Sequence, residues 1–154
     1  RTARLHALLE RGAADVRAGT SSVFTKAARI AERLLAEPRD VRVLHGDIHH
    51  RNIRQSPRGW LAFDPKGLVG ERTYDCANTL CNPPIPELVH NEARLLAQAA
   101  ILADELDLDQ ERLLAFTYAY ACLNASWWLR SGNDEFVNWS LAVARLLEPH
   151  VPEA

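Results

Sequence analysis

Asp47, Asn52 and Asp64 are the side chains whose types and spacing best suit chemistry on a charged substrate. They stand in Leu44-His45-Gly46-Asp47-Ile48-His49-His50-Arg51-Asn52-Ile53 and in Trp60-Leu61-Ala62-Phe63-Asp64-Pro65-Lys66-Gly67. A carboxylate and an amide oxygen form a hard donor pair that fits Mg²⁺, an ion that takes only one or two carboxylates from a protein and fills its shell with water and phosphate. Asp47 lies ahead of Asn52 in a compact loop, near enough to approach such an ion without binding it. Its carboxylate is then free to orient a hydroxyl.

A hairpin must bring these groups together. A type I turn at Pro57-Arg58-Gly59, closed by a left-handed glycine, would pair Ser56 with Trp60. That register sets Ile53 opposite Phe63 and Asn52 opposite Asp64, and opposed residues of an antiparallel pair share a face. The amide and the carboxylate converge. Read separately, Asp47 and Asn52 are also ordinary loop caps and Asp64 an ordinary turn former.

Around this insert the chain reads as helical. Leu5, Leu8, Leu9 and Val16, and after Gly19-Thr20-Ser21-Ser22 the set Val23, Ala27, Ile30 and Leu34, recur at helical spacing. Pro38 stops the second helix, and Val41-Arg42-Val43-Leu44 suits a strand. From His45 to Pro86 the sequence carries five of its eight prolines and four of its seven glycines, so loops and a small hairpin are predicted there. Leu88, Glu92, Leu95, Ala99, Leu102 and Leu106 then predict one helix of about five turns. Asp107 or Asp109 can cap the next helix, which carries Leu113, Phe116, Tyr120, Leu123 and Trp127 on one face and ends at Gly132. A last helix starts at Asn133 or Asp134, runs through Phe136, Val143 and Leu147, and is ended by Pro149. The fold class is mostly α with a small β-hairpin.

Composition narrows the function. The 154 residues, 47% hydrophobic and 25% charged, fit one soluble domain over 1–154. Eighteen Lys and Arg against 20 Asp and Glu give a formal net charge of −2, which argues against nucleic acid as a partner. No apolar run approaches the ~20 residues that span a bilayer, and Arg1-Thr2-Ala3-Arg4 does not open a signal peptide. The chain reads as cytoplasmic and without a membrane partner. Cys76, Cys81 and Cys122 lack paired-ligand spacing and read as reduced core thiols. The first residue is Arg1 and no Met occurs, so sequence upstream is expected to be missing.

An Asp, then an Asn, then a second Asp beyond a hairpin is the order of base, second metal ligand and first metal ligand in phosphoryl-transfer sites. His45-Gly46-Asp47 with Asn52 resembles the catalytic loop of aminoglycoside phosphotransferases and related small-molecule kinases of protein-kinase-like fold. The wider run is similar to the streptomycin 6-kinase-like members, through Leu44 to His50, Trp60 to Lys66, and Leu68-Val69-Gly70 leading to Tyr74-Asp75. The resemblance implies ATP and Mg²⁺ as cofactors and a hydroxyl of an aminoglycoside-like small molecule as acceptor. It implies Asp47 as the catalytic base, Asn52 and Asp64 as magnesium ligands, His45 as a supporting residue, and Asp75 as a buried acid bracing the loop from a following short helix. Lys66 would face the nucleotide's phosphates or pair with a neighbouring acid. Arg51 stands where many members have Gly, facing phosphate or solvent, and Asp64-Pro65-Lys66-Gly67 replaces Asp-Phe-Gly, as in the streptomycin kinase subgroup.

Kinases of this kind hold ATP between two lobes, the smaller supplying a lysine and a loop over the phosphates. Only two helices precede the strand before His45, so the chain resembles the C-terminal lobe alone, and the fragment is expected to be inactive by itself. Two other classes stay in view. A magnesium-dependent phosphohydrolase would use the same groups on water, and a non-catalytic helical interaction module would use none of them.

Other residues carry weaker signals. His45, His49 and His50 invite a zinc reading, but no Glu sits in the zincin position and the segment lies between strands. Trp127, Trp128 and Trp139 could stack on a sugar, although Trp127 continues an apolar face and core packing is preferred. Trp128 is one position off that face and is a substrate candidate. Asp134 and Glu135 could attract a polycation, and they equally suit a helix start, where the dipole favours acids.

Overall fold

The computed structural model describes residues 6–17 and 22–152; Leu5 and the Gly19-Thr20-Ser21 link lie outside them. Helix α1 (His6–Arg17) packs against α2 (Val23–Ala36) closely enough that a Cβ added at Gly12 would lie 2.5 Å from Ala28 Cβ. Ser22 caps α2: its Oγ accepts from Phe24 N at 3.1 Å, and Thr25 Oγ1 accepts from Ser22 N at 3.4 Å. Phe24, Ala27, Ile30, Ala31 and Leu34 form its buried stripe.

Strand β1 (Val41–Leu44) follows where a strand was predicted. Its partner was not foreseen. It pairs antiparallel with β4 (Leu68–Glu71), from Val41 with Glu71 to Leu44 with Leu68, so a two-stranded ribbon closes the base of the whole insert. Sequence periodicity is blind to this pairing because the partners are separated by the hairpin.

The hairpin itself, β2 (Ile53–Ser56) and β3 (Gly59–Ala62), has a different register from the predicted one. Ser56 pairs with Gly59 and Ile53 with Ala62, and Phe63 N donates to Asn52 O at 3.0 Å. Gly59 does adopt the left-handed region, with φ 96°, but it belongs to the first pair of the ladder and the loop is only Pro57 and Arg58. Asn52 therefore faces Phe63 instead of Asp64. A one-residue slip reverses which side chains share a face, so hairpin register does not make the predicted convergence.

Helix α3 (Thr73–Leu80) follows β4 directly. The single helix predicted after Pro86 is two: α4 (Pro86–Val89) and α5 (Glu92–Leu106). Asn91 breaks them by turning its side chain into a cap, accepting from Arg94 N at 3.0 Å. Asp109 caps α6 (Gln110–Ser131), while Asp107 ends α5 at φ 50°. Gly132 closes α6 at φ 71°, and Asn133 caps α7 (Asp134–Leu147), which runs into a 3-10 turn over Glu148–His150.

Helix α6 is the centre of the core, packed against α1, α2, α3, α5 and α7. Leu113, Tyr118, Leu123, Val143 and Leu147 are fully enclosed there. Phe136, in the first turn of α7, is 36% exposed and stacks on Trp128 with ring centroids 4.6 Å apart. Cys76, Cys81 and Cys122 are buried free thiols. Among the described residues no helix is long and apolar enough to cross a membrane.

Candidate active site

Because Leu44 pairs with Leu68, the segment that leaves β1 and the one that enters β4 run side by side. The ladder gains one more rung beyond the strands, Lys66 N donating to His45 O at 2.7 Å. This places the loop 45–52 against the turn 63–67.

His45 fastens the two with its side chain as well. Its Nδ1 accepts from Asp47 N at 3.3 Å, so the proton sits on Nε2, which donates to Phe63 O at 2.8 Å. Gly46 follows at φ 78°, a conformation that costs an L side chain on the order of 1–2 kcal/mol. A Cβ there would also meet Leu68 Cδ1 at 2.7 Å.

Asp75, in the first turn of α3, binds both backbone nitrogens of this segment: Oδ2 accepts from His45 N at 2.9 Å and Oδ1 from Gly46 N at 2.7 Å. A carboxylate shared between two amides is a charge-assisted clamp. Asp75 is half-buried, where a buried acid was predicted. Thr79, one turn on, donates through Oγ1 to Ile48 O at 3.1 Å.

The carboxylate of Asp47 is thereby presented beside Asp64. Lys66 Nζ lies 2.7 Å from Asp64 Oδ2 and 3.4 Å from Asp47 Oδ2, one ammonium between two acids. The hydrogen bond to Lys66 holds the Asp64 carboxyl below the usual carboxylate range, and Lys66 is raised in return, chiefly by Asp64. Lys66 thus pairs with acids, one of the two roles left open by its sequence. Asp64 stands in the left-handed region at φ 62°, uncommon for a residue other than glycine.

Asn52 is tied to this loop through the backbone of Asp47. A 3-10 turn over His50–Asn52, capped by His49, buries the Asn52 side chain, and its Nδ2 donates to Asp47 O at 3.0 Å. That use of the amide nitrogen leaves Oδ1 as the atom able to face a cation. His49 Nδ1 accepts from Arg51 N at 3.2 Å, leaving its Nε2 3.7 Å from Asp47 Oδ1. Arg51 is exposed. His50 is exposed too; slight burial and the neighbouring charges of His49, Arg51 and Arg54 lower its pKa, so it is neutral near pH 7.

The donor set fits a hard cation. Among the described residues no group of three His, Cys, Asp or Glu could hold a metal. A magnesium site needs fewer protein carboxylates, and the ammonium lodged between Asp47 and Asp64 marks a position where positive charge is stabilised.

Direct contacts link His45, Asp47, Asn52, Asp64, Lys66 and Asp75 into one cluster. Trp128, Asp134 and Glu135 are not joined to it by any hydrogen bond or ion pair among the described residues. Trp128 is half-buried against Phe136, and Asp134 and Glu135 are exposed in the first turn of α7, where acids suit the helix dipole. The sequence reading missed Asn78 and Tyr120. Asn78 Nδ2 donates to Asp47 Oδ1 at 3.0 Å, and Tyr120 donates to Asn78 Oδ1 at 2.8 Å. One signal was available: Asp75, Asn78 and Thr79 are polar at i, i+3 and i+4, one face of a helix whose other residues include the buried Tyr74, Cys76, Ala77 and Leu80.

Comparison with known proteins shows the family. Residues 2–132 match the family model described as aminoglycoside/hydroxyurea antibiotic resistance kinase, and the chain belongs to that family. Streptomycin 3''-kinase of Klebsiella pneumoniae is 41% identical over 120 residues, 75% of this chain and 45% of that protein. Streptomycin 6-kinase of Streptomyces griseus is 33% identical over 124 residues, 79% of this chain and 40% of that protein. Hydroxyurea phosphotransferase of Kitasatospora aureofaciens is 32% identical over 122 residues, 79% of this chain and 34% of that protein. The chain therefore spans less than half the length of these relatives. No solved structure gives a significant match.

Proposed function

We propose that this chain is the C-terminal, catalytic-loop lobe of a protein-kinase-like enzyme that transfers the γ-phosphate of ATP to a hydroxyl of an aminoglycoside-like small molecule. The observation that carries the reading is Asp47, held beside Asp64 by Lys66 in a loop clamped by Asp75 and His45. Family membership supplies the reaction class, and the relatives named as streptomycin kinases suggest the acceptor.

In this reading the acceptor oxygen forms a bond to the γ-phosphorus, the bond from that phosphorus to the β–γ bridging oxygen breaks, and ADP leaves. The hydroxyl proton passes to Asp47. A carboxylate is too weak a base to ionise an alcohol beforehand, so Asp47 orients the hydroxyl and takes the proton late. Asn52 Oδ1 and Asp64 would hold Mg²⁺, which when bound neutralises charge on the phosphates. Lys66 sets a second positive charge beside them, and Asp75 keeps the backbone before Asp47 in place.

A nucleotide lobe supplied by further sequence completes the site, so the 154 residues alone do not turn over. The decisive experiment is Mg²⁺-dependent phosphorylation by the complete natural open reading frame containing this chain, across a panel of aminoglycosides. Transfer to streptomycin-like acceptors is expected. Phosphate release without any acceptor would favour the hydrolase, and full turnover by the 154 residues alone would overturn the lobe assignment.

A further inference from the structure

We propose that Asn78 is a positioning residue for Asp47, itself set by Tyr120. The inference rests on the reading of Asp47 as the base and adds two residues that neither the motif nor its spacing identified. Asn78 is only 4% exposed, and its side-chain amide is committed at both ends. Its Oδ1 accepts from Tyr120 Oη at 2.8 Å and from Asn82 Nδ2 at 3.0 Å. Two donors on one atom fix which way the amide faces, because the nitrogen cannot occupy that end. Nδ2 is therefore turned toward Asp47 and donates to Oδ1 at 3.0 Å.

The consequence lies in the geometry of the carboxylate. With Oδ1 held from beneath by a neutral amide, Oδ2 is the oxygen left toward Lys66, at 3.4 Å from Nζ. A carboxylate on a free χ2 would sweep both oxygens through the site. Asn78 removes that freedom without adding charge, and Asn82 Nδ2, which also donates to Asn78 O at 2.9 Å, ties the support to the end of α3. Tyr120 comes from the central helix α6 and packs edge-on against Tyr74, with ring centroids 5.8 Å apart. The orientation of the base is thus referred to the core, not to the loop that carries it.

The test is steady-state kinetics on the complete natural open reading frame with Asn78→Ala, Asn78→Asp, Tyr120→Phe and Asp47→Asn. Asn78→Ala is expected to lower kcat about 10- to 100-fold with the KM for ATP changed less than about threefold, the pattern of a misplaced reacting group. Asn78→Asp keeps the size and the acceptors but replaces the donor with a carboxylate oxygen, and is expected to be at least as damaging. Tyr120→Phe is expected to cost less, about three- to tenfold, and to cost nothing further when combined with Asn78→Ala, since both act through one contact. Thermal melts identify a variant that fails to fold; the near-isosteric Asn78→Asp and Tyr120→Phe then decide. Wild-type kcat in those variants, or losses that simply multiply in the double variant, would overturn the proposal. If Asp47→Asn abolishes turnover while the Asn78 variants do not, only the positioning role fails. If Asp47→Asn keeps its activity, the assignment of the base fails first.

Discussion

The backbone nitrogen of Lys66 donates to the carbonyl of His45 at 2.7 Å, one rung beyond the last residue pair of the β1–β4 ribbon. Through that rung the segment bearing Asp47 and the segment bearing Asp64 leave the ribbon as neighbours. The pairing of Leu44 with Leu68, and not the tip of the hairpin, makes the cluster.

The base assignment predicts a particular kinetic split. Asp47→Asn keeps the planar shape of the carboxylate but cannot take a proton, so kcat should fall by orders of magnitude while the KM for ATP changes little. Measured by coupled ADP release in the complete open reading frame, an equal loss of ATP binding would mean that Asp47 serves the nucleotide instead of the acceptor.

Glycine tolerance separates strain from collision. Gly46 and Gly59 both have positive φ, but a Cβ at Gly46 meets Leu68 Cδ1 at 2.7 Å while nothing lies within 4 Å of one at Gly59. Gly59→Ala should cost on the order of 1 kcal/mol from backbone conformation alone, and Gly46→Ala distinctly more. Urea melts of the two variants should rank in that order, and equal midpoints would contradict it.

The ion pair that closes the ribbon onto α6 should set the acid stability. Glu71 is buried; Arg112 Nε and Nη2 reach its two carboxylate oxygens at 2.7 Å, Arg39 N donates at 2.8 Å and Thr73 Oγ1 at 3.0 Å. Burial alone would raise its pKa, but these donors outweigh it and hold the group below its ordinary 4.5. A depressed folded-state pKa contributes stability that is present above the unfolded value and is lost as pH falls through the folded one. Arg112→Leu leaves a buried carboxylate without its cation, at a cost of about 3–5 kcal/mol. Acid-unfolding curves should show the variant losing structure at a higher pH than the parent.

The three cysteines should be chemically silent while the fold is intact. Burial pushes the Cys76 thiol up to about 11 and Cys81 up to about 12, and raises Cys122 further. A thiol-specific chromogenic reagent at pH 8 is expected to label none of them in native protein and all three in denaturant. Rapid labelling under native conditions would show that the core around α3 and α6 opens.

The features legible in the amino-acid order were local ones. Apolar spacing marked α2 and α6; Asp107 or Asp109, Gly132, and Asn133 or Asp134 marked helix ends, of which Asp109 and Asn133 prove to be the caps; and the order Asp47, Asn52, Asp64 marked a candidate chemistry, because caps, periodicity and short motifs are written within a few residues. The break at Asn91 escaped because apolar period continues across it while a side-chain cap does not show in periodicity. Tertiary structure alone decided the pairing of β1 with β4, the hairpin's one-residue slip, and the arrival of Asn78 and Tyr120 beneath Asp47. Those contacts join residues 24 to 42 positions apart or hang on a single residue of register, and the meeting of Asn78 with Tyr120 in particular follows from packing α3 against α6, which no short stretch of sequence contains.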